Sequence, residues 1–353
     1  MGLVLVRRRT LLAGLAATAA ITAGSELLGG TAARADDSPF AGLLVARIRS
    51  ALLGPCGITA AVPTAGLEGE FTRALADFDA CRYAGLAVRL PRLISAGQSI
   101  TTGSRTSGDL VLLARTYLLT TRTLVKVDEN TGLGWVSAER ARQCAEAGGD
   151  PLLAGESARQ LAVLARRAGQ HSEALSIALS AADQPDLRAV GRSGAAARGL
   201  LILSASYTLA RQGDRAGMRE LTNEAAAIAR ELGGTVLLRG HGGFSPLTVD
   251  LHRIGAEVHG GDPLAALAAA RSIPLAALPS IERRSRALGD IAITYERLGR
   301  RSDCLRTLLA AERLAPQEAH TRPATKALIY SLLRSGPTST DLRGLARRSG
   351  VIS

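Results

Sequence analysis

The chain has 353 residues, a formal net charge of +12 and a composition that is 46% hydrophobic but only 3% aromatic. A chain of this length buries a core large enough to need neither metal nor disulfide. Its length therefore excludes the small proteins whose stability depends on disulfides or a bound metal. Abundant Ala and Leu, with few β-branched or aromatic runs, predict an all-α fold.

Arginine supplies nearly all of the positive charge, since Lys126 and Lys326 are the only lysines. The arginines are scattered among acids along the predicted helices, and they lack the interleaved Phe and Tyr side chains that stack on bases. A basic surplus suits an acidic partner or nucleic acid, whereas dispersed arginines are also typical of solvated helix faces. Direct nucleic-acid binding is therefore an alternative and not the expected activity.

Residues 1–35 resemble a secretory signal. Arg8 and Arg9 precede an uncharged run over residues 11–24, and Ala33 and Ala35 form an A-x-A cleavage pattern. The Arg-Arg-x-Leu-Leu order resembles a twin-arginine export signal, and the run is too short for a membrane span. Apolar residues before the arginines and an acid ahead of the cleavage pattern argue against a signal. Export is slightly favoured, and a cytoplasmic linker is the alternative.

Residues 36–108 are predicted to form a group of N-terminal helices. Apolar periodicity indicates three of them, over residues 40–53, 67–78 and 81–95. Pro91 is expected to kink or restart the third helix. The Gly-, Ser- and Thr-rich segment 97–108 is predicted to be a loop, and Asp109 is expected to cap a long helix over residues 110–127.

The second region, residues 109–353, is predicted to consist of successive helical pairs that begin near Trp135. Glycines are expected at the turn of each of four pairs, at positions 38 to 48 residues apart: Gly169, Gly213, Gly261 and Gly299. Helices over residues 324–333 and 340–348 are expected to cap the C-terminal end. A divergent array of pairs is therefore more consistent with this spacing than a regular one.

The clearest pair lies between Ser285 and Pro316. Its expected packing and turn residues, at helical spacings, are Leu288, Ile291, Ala292, Tyr295, Gly299, Cys304, Leu308, Ala311 and Pro316. This pattern resembles one tetratricopeptide (TPR) repeat, whose period is normally about 34 residues. The resemblance implies a TPR-like α-solenoid of antiparallel helical pairs that binds a protein or peptide.

A second resemblance is more specific. The segments 244–252 and 282–300, with Gly261-Asp262 between them, look like the TPR half of actinobacterial helix-turn-helix transcriptional regulators. The similarity covers residues 66–351. Those regulators carry an N-terminal DNA-binding domain, and nothing before Arg7 could form one here. In such regulators a segment like residues 7–12 can lie internally, after the DNA-binding part, which leaves both interpretations of the N-terminus open.

No catalytic or metal-binding motif is found. His252 and His259 are seven residues apart but lack a convergent third ligand, and the sequence 240–243 (GHGG) follows no predicted strand and is expected to connect two helices. The cysteines show no metal-like spacing: Cys144 and Cys304 are expected in the core, and a Cys56–Cys81 disulfide stays open. We expect no enzyme activity, no cofactor and no metal.

In TPR proteins the first helix of each pair lines a binding groove. Carried over by distance from the turn glycines, the candidate groove residues are Arg159, Arg166, Arg167, Tyr207, Arg211, His259, Arg286, Glu296 and Arg297. Guanidinium groups grip carboxylates in a bidentate fork, so the resemblance implies an acidic peptide or terminal carboxylate as partner. The hypothesis is a non-catalytic module of regulatory or scaffolding function. A basic, nucleic-acid-associated regulator without its own helix-turn-helix domain is the alternative.

Overall fold

A computed structural model describes residues 39–54, 64–103, 106–128, 132–238 and 242–352. These residues form seventeen α-helices, one short 3-10 helix (Leu275–Ala277) and one β-hairpin, which confirms the predicted all-α fold. The first nine helices are α1 (Pro39–Leu53), α2 (Thr64–Asp79), α3 (Tyr83–Gly103), α4 (Ser107–Val127), α5 (Gly132–Ala147), α6 (Pro151–Arg167), α7 (His171–Ala182), α8 (Pro185–Ala189) and α9 (Gly191–Gln212).

The C-terminal half contains the remaining helices and the hairpin. Its elements are α10 (Arg215–Glu231), β1 (Val236–Leu238), β2 (Gly242–Phe244), α11 (Pro246–His259), α12 (Pro263–Arg271), α13 (Ile281–Arg297), α14 (Arg301–Leu314), α15 (Pro316–Thr321), α16 (Pro323–Arg334) and α17 (Thr340–Arg348). The bounds of α16 and α17 lie within one residue of the predicted ones.

The helix α3 continues through Pro91, so the prediction of a restart there is wrong. Proline has no N–H, and the carbonyl oxygen of Ala87 therefore loses its usual helical donor. Arg47 of α1 replaces that donor, with its Nη1 3.4 Å from the Ala87 oxygen. The same helix extends to Gly103, so most of the segment predicted as a loop over residues 97–108 is helical.

Thr106, and not Asp109, caps α4. The Thr106 hydroxyl oxygen accepts a hydrogen bond from the backbone N–H of Asp109 at 3.2 Å, and this satisfies one of the donors that a helix start leaves free. Asp109 instead lies in the first turn of α4, where a negative charge is favourable.

Five pairs of consecutive helices pack along the chain: α4 with α5, α6 with α7, α9 with α10, α11 with α12, and α13 with α14. The first helices of these pairs, α4, α6, α9, α11 and α13, also contact one another in chain order, and we call them the first-helix row. The four expected turn glycines all have positive φ, for example +82° at Gly213 and +68° at Gly299. That backbone region favours glycine because a Cβ atom clashes there.

The pair α13–α14 contains the segment that resembles a TPR repeat. Among its expected packing residues, Ala292, Cys304, Leu308 and Ala311 are buried, whereas Leu288, Ile291 and Tyr295 keep part of their surface exposed. Pro316 does not simply end a helix, because α14 ends at Leu314 and Pro316 begins α15, where its missing N–H costs nothing.

The β-hairpin was not expected from the sequence, which predicts a flexible helix connector over residues 240–243. Val236 pairs with Phe244, and Leu238 pairs with Gly242. Phe244 is completely buried against Gly199 of α9, where a Cβ atom would lie 2.3 Å from the Phe244 ring. A glycine in the middle of α9 therefore lets the hairpin pack closely onto that helix.

One cluster of buried apolar residues extends from Ala41 to Leu153, across the boundary predicted at residues 108 and 109. None of the described helices is long and apolar enough to cross a membrane. The signal residues Arg8, Arg9, Ala33 and Ala35 lie outside the described residues, as does Cys56 with its proposed pairing to Cys81.

Candidate functional site

The candidate site lies along the first-helix row, and Arg166 of α6 is at its centre. The Arg166 Nη1 donates hydrogen bonds to the Ser204 carbonyl oxygen and the Thr208 hydroxyl of α9, both at 3.2 Å. Its guanidinium carbon lies 5.0 Å from the centroid of the Tyr207 ring, within the range of a cation–π interaction. These contacts hold a cation firmly between two neighbouring helices of the row.

Burial, opposed by the Tyr207 hydroxyl and reinforced by the charges of Arg286, Arg159 and Arg211, lowers the pKa of Arg166 to about 10. The group is still charged at neutral pH, but its charge is poorly compensated by its surroundings. An anion placed beside these arginines would be stabilised for the same reason.

Tyr207 links α9 to α11 through two histidines. Its ring centroid lies 5.4 Å from that of His252 and 5.2 Å from that of His259, and Arg211 Nη1 is 3.3 Å from His259 Nδ1. The His252 Nε2 is buried without a hydrogen-bond partner among the described residues.

Both histidines are neutral at physiological pH. Burial lowers the pKa of His259 to about 4, against the opposing charge of Asp290 and with the help of Arg211. Burial, Arg286 and Arg166 hold the pKa of His252 well below its ordinary value. The positive charge of the site at pH 7 therefore comes from arginines alone.

Asp290 of α13 is the acid at the centre of the site, and it is only 5% exposed. Its Oδ2 lies 3.8 Å from the Arg286 Nε. Gly255 of α11 makes this approach feasible, because a Cβ atom there would lie 3.0 Å from the Tyr207 ring and 3.2 Å from Asp290 Oδ2. The glycine thus brings α9, α11 and α13 together around one polar centre.

Seven of the nine predicted groove residues therefore lie within electrostatic reach of at least one other: Arg159, Arg166, Tyr207, Arg211, His259, Arg286 and Arg297. Arg159 forms a two-bond pair with Glu156, with both nitrogen–oxygen distances 2.7 Å.

Arg167 and Glu296, the other two predicted residues, make different contacts, and Arg297 lies at the exposed edge of the group. Arg167 turns to α4 and donates to the Val125 carbonyl oxygen at 2.6 Å. Glu296 accepts a hydrogen bond from Ser331 of α16 at 2.9 Å. Arg297 is exposed, and its charge contributes to the low pKa of His259.

A buried ion network joins the two ends of the first-helix row. Lys126 Nζ at the end of α4 lies 2.9 Å from Glu282 Oε1 of α13 and 2.9 Å from Glu318 Oε1 of α15. Tyr83 donates its hydroxyl hydrogen to Glu318, and Arg322 Nη1 is 3.3 Å from Glu318 Oε1.

Burial alone would raise the pKa values of Glu282 and Glu318, but nearby cations, of which Lys126 is the strongest, lower both. Both acids are therefore ionised, and the helices that begin and end the row are held together by charge.

The sequence interpretation considered His252 only as a metal ligand and rejected that role, and it assigned no role in a site to five further residues of this region: Arg122, Lys126, Glu282, Asp290 and Glu318. One signal was present, because Lys126 is one of two lysines in an arginine-rich chain. The others had no local signal, since helical periodicity does not distinguish a buried acid on an inner face from an exposed one.

Cys81 and Cys304 are buried cysteines. Burial raises the pKa of the Cys304 thiol to about 12 and raises that of Cys81 as well, so neither is a thiolate nucleophile at neutral pH. No cluster of three or more potential metal ligands occurs in the residues that the structure describes. No protein-family model matches the chain, and no significantly similar curated protein was found.

Proposed function

We propose that this chain is a non-catalytic, TPR-like module that binds an acidic peptide segment, in a regulatory or scaffolding role. The observation that carries the proposal is the convergence of Arg159 and Arg166 of α6 with Arg286 of α13 at one site, where the Arg166 guanidinium lies against the Tyr207 ring of α9. A flat, rigid ring between guanidinium groups suits an extended chain whose carboxylates pair with the arginines.

The charge of these arginines is only partly compensated within the site. Arg159 is paired with Glu156, and Arg286 lies near Asp290, whereas Arg166 donates to the neutral oxygens of Ser204 and Thr208. The net charge of these side chains is thus positive, and an acidic partner is favoured over a basic one. The basic, nucleic-acid-associated regulator is the second candidate, supported by the +12 charge of the whole chain.

The test is fluorescence anisotropy with a labelled glutamate-rich peptide, a lysine-rich peptide of the same length and a duplex DNA. We expect binding of the acidic peptide alone at physiological salt. Arg286→Gln should weaken it roughly tenfold or more, as expected for a lost hydrogen bond to a charged group. Arg271→Gln, on an exposed position of α12, makes the same change in net charge and should leave affinity unchanged.

Equal effects of the two substitutions would attribute binding to overall charge and would contradict a groove site. Tight DNA binding whose affinity falls steeply with salt would favour the regulator hypothesis instead.

A further inference from the structure

A cavity of about 180 Å³ lies beside the arginine site and has mainly apolar walls. Leucines from four elements line it: Leu118 of α4, Leu152 of α6, Leu200 of α9 and Leu238 of β1. The β-hairpin therefore closes a space that the three helices of the first-helix row leave between them.

Three arginines also line this cavity: Arg115, Arg122 and Arg159. Two acids line it as well, Asp150 and Glu156, so the ionisable groups of the wall carry one net positive charge. The apolar walls thus contain a cationic region, and the cavity is amphipathic.

The cationic region is buried. Arg122 is only 9% exposed, and burial, followed by the charge of Arg283, lowers its pKa against the opposing effects of Glu282 and Glu156. The Arg115 Nε is buried and has no acceptor among the described residues, although its Nη1 pairs with Glu68 at 3.0 Å. A carboxylate in the cavity would stabilise the Arg122 charge and offer Arg115 an acceptor.

The volume limits the size of the apolar group. A dry cavity of about 150 Å³ lined by Leu, Ile and Phe holds one benzene molecule. A space of about 180 Å³ therefore holds an apolar group of about six to eight carbons.

We infer that this cavity binds a free carboxylic acid with an apolar chain of about six to eight carbons. The chain contacts the leucines, and the carboxylate faces Arg115, Arg122 and Arg159. This site shares Arg159 with the peptide groove of the proposed function, but the apolar cavity itself does not depend on that function. A peptide is disfavoured inside the cavity because leucine walls would leave its backbone N–H and C=O groups without partners.

The test is calorimetric titration of the full chain with straight-chain acids of increasing length. Affinity should rise about fourfold for each added methylene, so octanoate should bind roughly 200-fold more tightly than butanoate. The increase in affinity should stop once the hydrocarbon chain of the acid is longer than the cavity. Octanol, which has no carboxylate, should bind at least tenfold more weakly than octanoate.

Two exposed leucines provide a matched pair of variants. Leu237 lines the cavity and is 78% exposed, whereas Leu264 of α12 is 68% exposed and does not line it. Leu237→Glu should weaken octanoate binding about tenfold or more, because it replaces apolar wall with a like charge, and Leu264→Glu should not change it.

The inference is overturned if affinity does not depend on chain length, if octanol binds as well as octanoate, or if both variants behave alike. It is also overturned if acids of twelve carbons continue to gain fourfold per methylene, or if a leucine-terminated peptide displaces octanoate at lower concentration. Because none of these titrations uses the glutamate-rich peptide, their failure is distinct from failure of the proposed function.

Discussion

The buried ion network at Lys126 makes the strongest prediction about stability. Lys126→Met keeps the length and apolar stem of the side chain but removes the charge. Glu282 and Glu318 then remain buried, with side chains 5% and 2% exposed, and lose a cation at 2.9 Å. Removing one member of a buried pair costs about 3–5 kcal/mol, because the remaining charge is desolvated and uncompensated.

The remaining partners place the expected cost at the lower end of that range. Glu282 keeps Arg283 at 3.4 Å, and Glu318 keeps Arg322 at 3.3 Å and the Tyr83 hydroxyl. We therefore expect the free energy of unfolding to fall by about 3 kcal/mol at pH 7, measured by urea unfolding followed by far-UV circular dichroism.

The effect should depend on pH. Both glutamates have folded-state pKa values below the ordinary value of 4.5. The stability that this provides is complete above the unfolded pKa and is lost as pH falls through the folded one. In Lys126→Met the folded pKa values rise, so the difference between the variant and the natural chain should narrow below about pH 4.

The matched control is Arg73→Met, which removes a cation 2.6 Å from Glu70 in an exposed pair. Exposed pairs contribute at most about 1 kcal/mol. If Lys126→Met costs no more than Arg73→Met, the network does not hold the ends of the first-helix row together, and the reasoning fails.

Three further predictions concern a turn, a packed ring and a histidine. Gly213→Ala should lower the free energy of unfolding by about 1–2 kcal/mol, because φ at this position is +82°. Gly42→Ala should instead raise the free energy of unfolding by about 0.5–1 kcal/mol, because Gly42 lies in α1 with open space around it. Urea unfolding of both variants measures whether the two changes have opposite signs. Phe244→Ala should cost about 3–5 kcal/mol, since the ring is completely buried, and a smaller loss in thermal unfolding would contradict the packing of the hairpin on α9. His259 has a folded-state pKa of about 4, below its unfolded value, so the free energy of unfolding should fall as pH drops from 6.5 towards 4. His259→Gln should reduce this dependence of the free energy of unfolding on pH, measured by urea titrations at a series of pH values.

Local sequence features predicted several of the helices and the turns between them. Apolar residues at spacings of three and four indicate a helix, and a glycine in the left-handed conformation ends one, so the α16 and α17 bounds and the turn at Gly213 could be predicted. The continuation of α3 through Pro91 could not be predicted from local sequence, because the Arg47 side chain that donates to the freed Ala87 carbonyl oxygen comes from another helix.

The tertiary structure alone decided which charged residues meet. Lys126 and Glu318 are 192 positions apart, and their contact depends on how every intervening pair packs, which no local pattern encodes. The inner faces of α4 and α6 likewise read as amphipathic stripes, α9 has apolar residues on most of its surface, and only the packing of all three under the hairpin makes one apolar cavity with arginines in its wall. Sequence periodicity indicates which face of a helix is buried, whereas the tertiary structure determines which residues pack against that face.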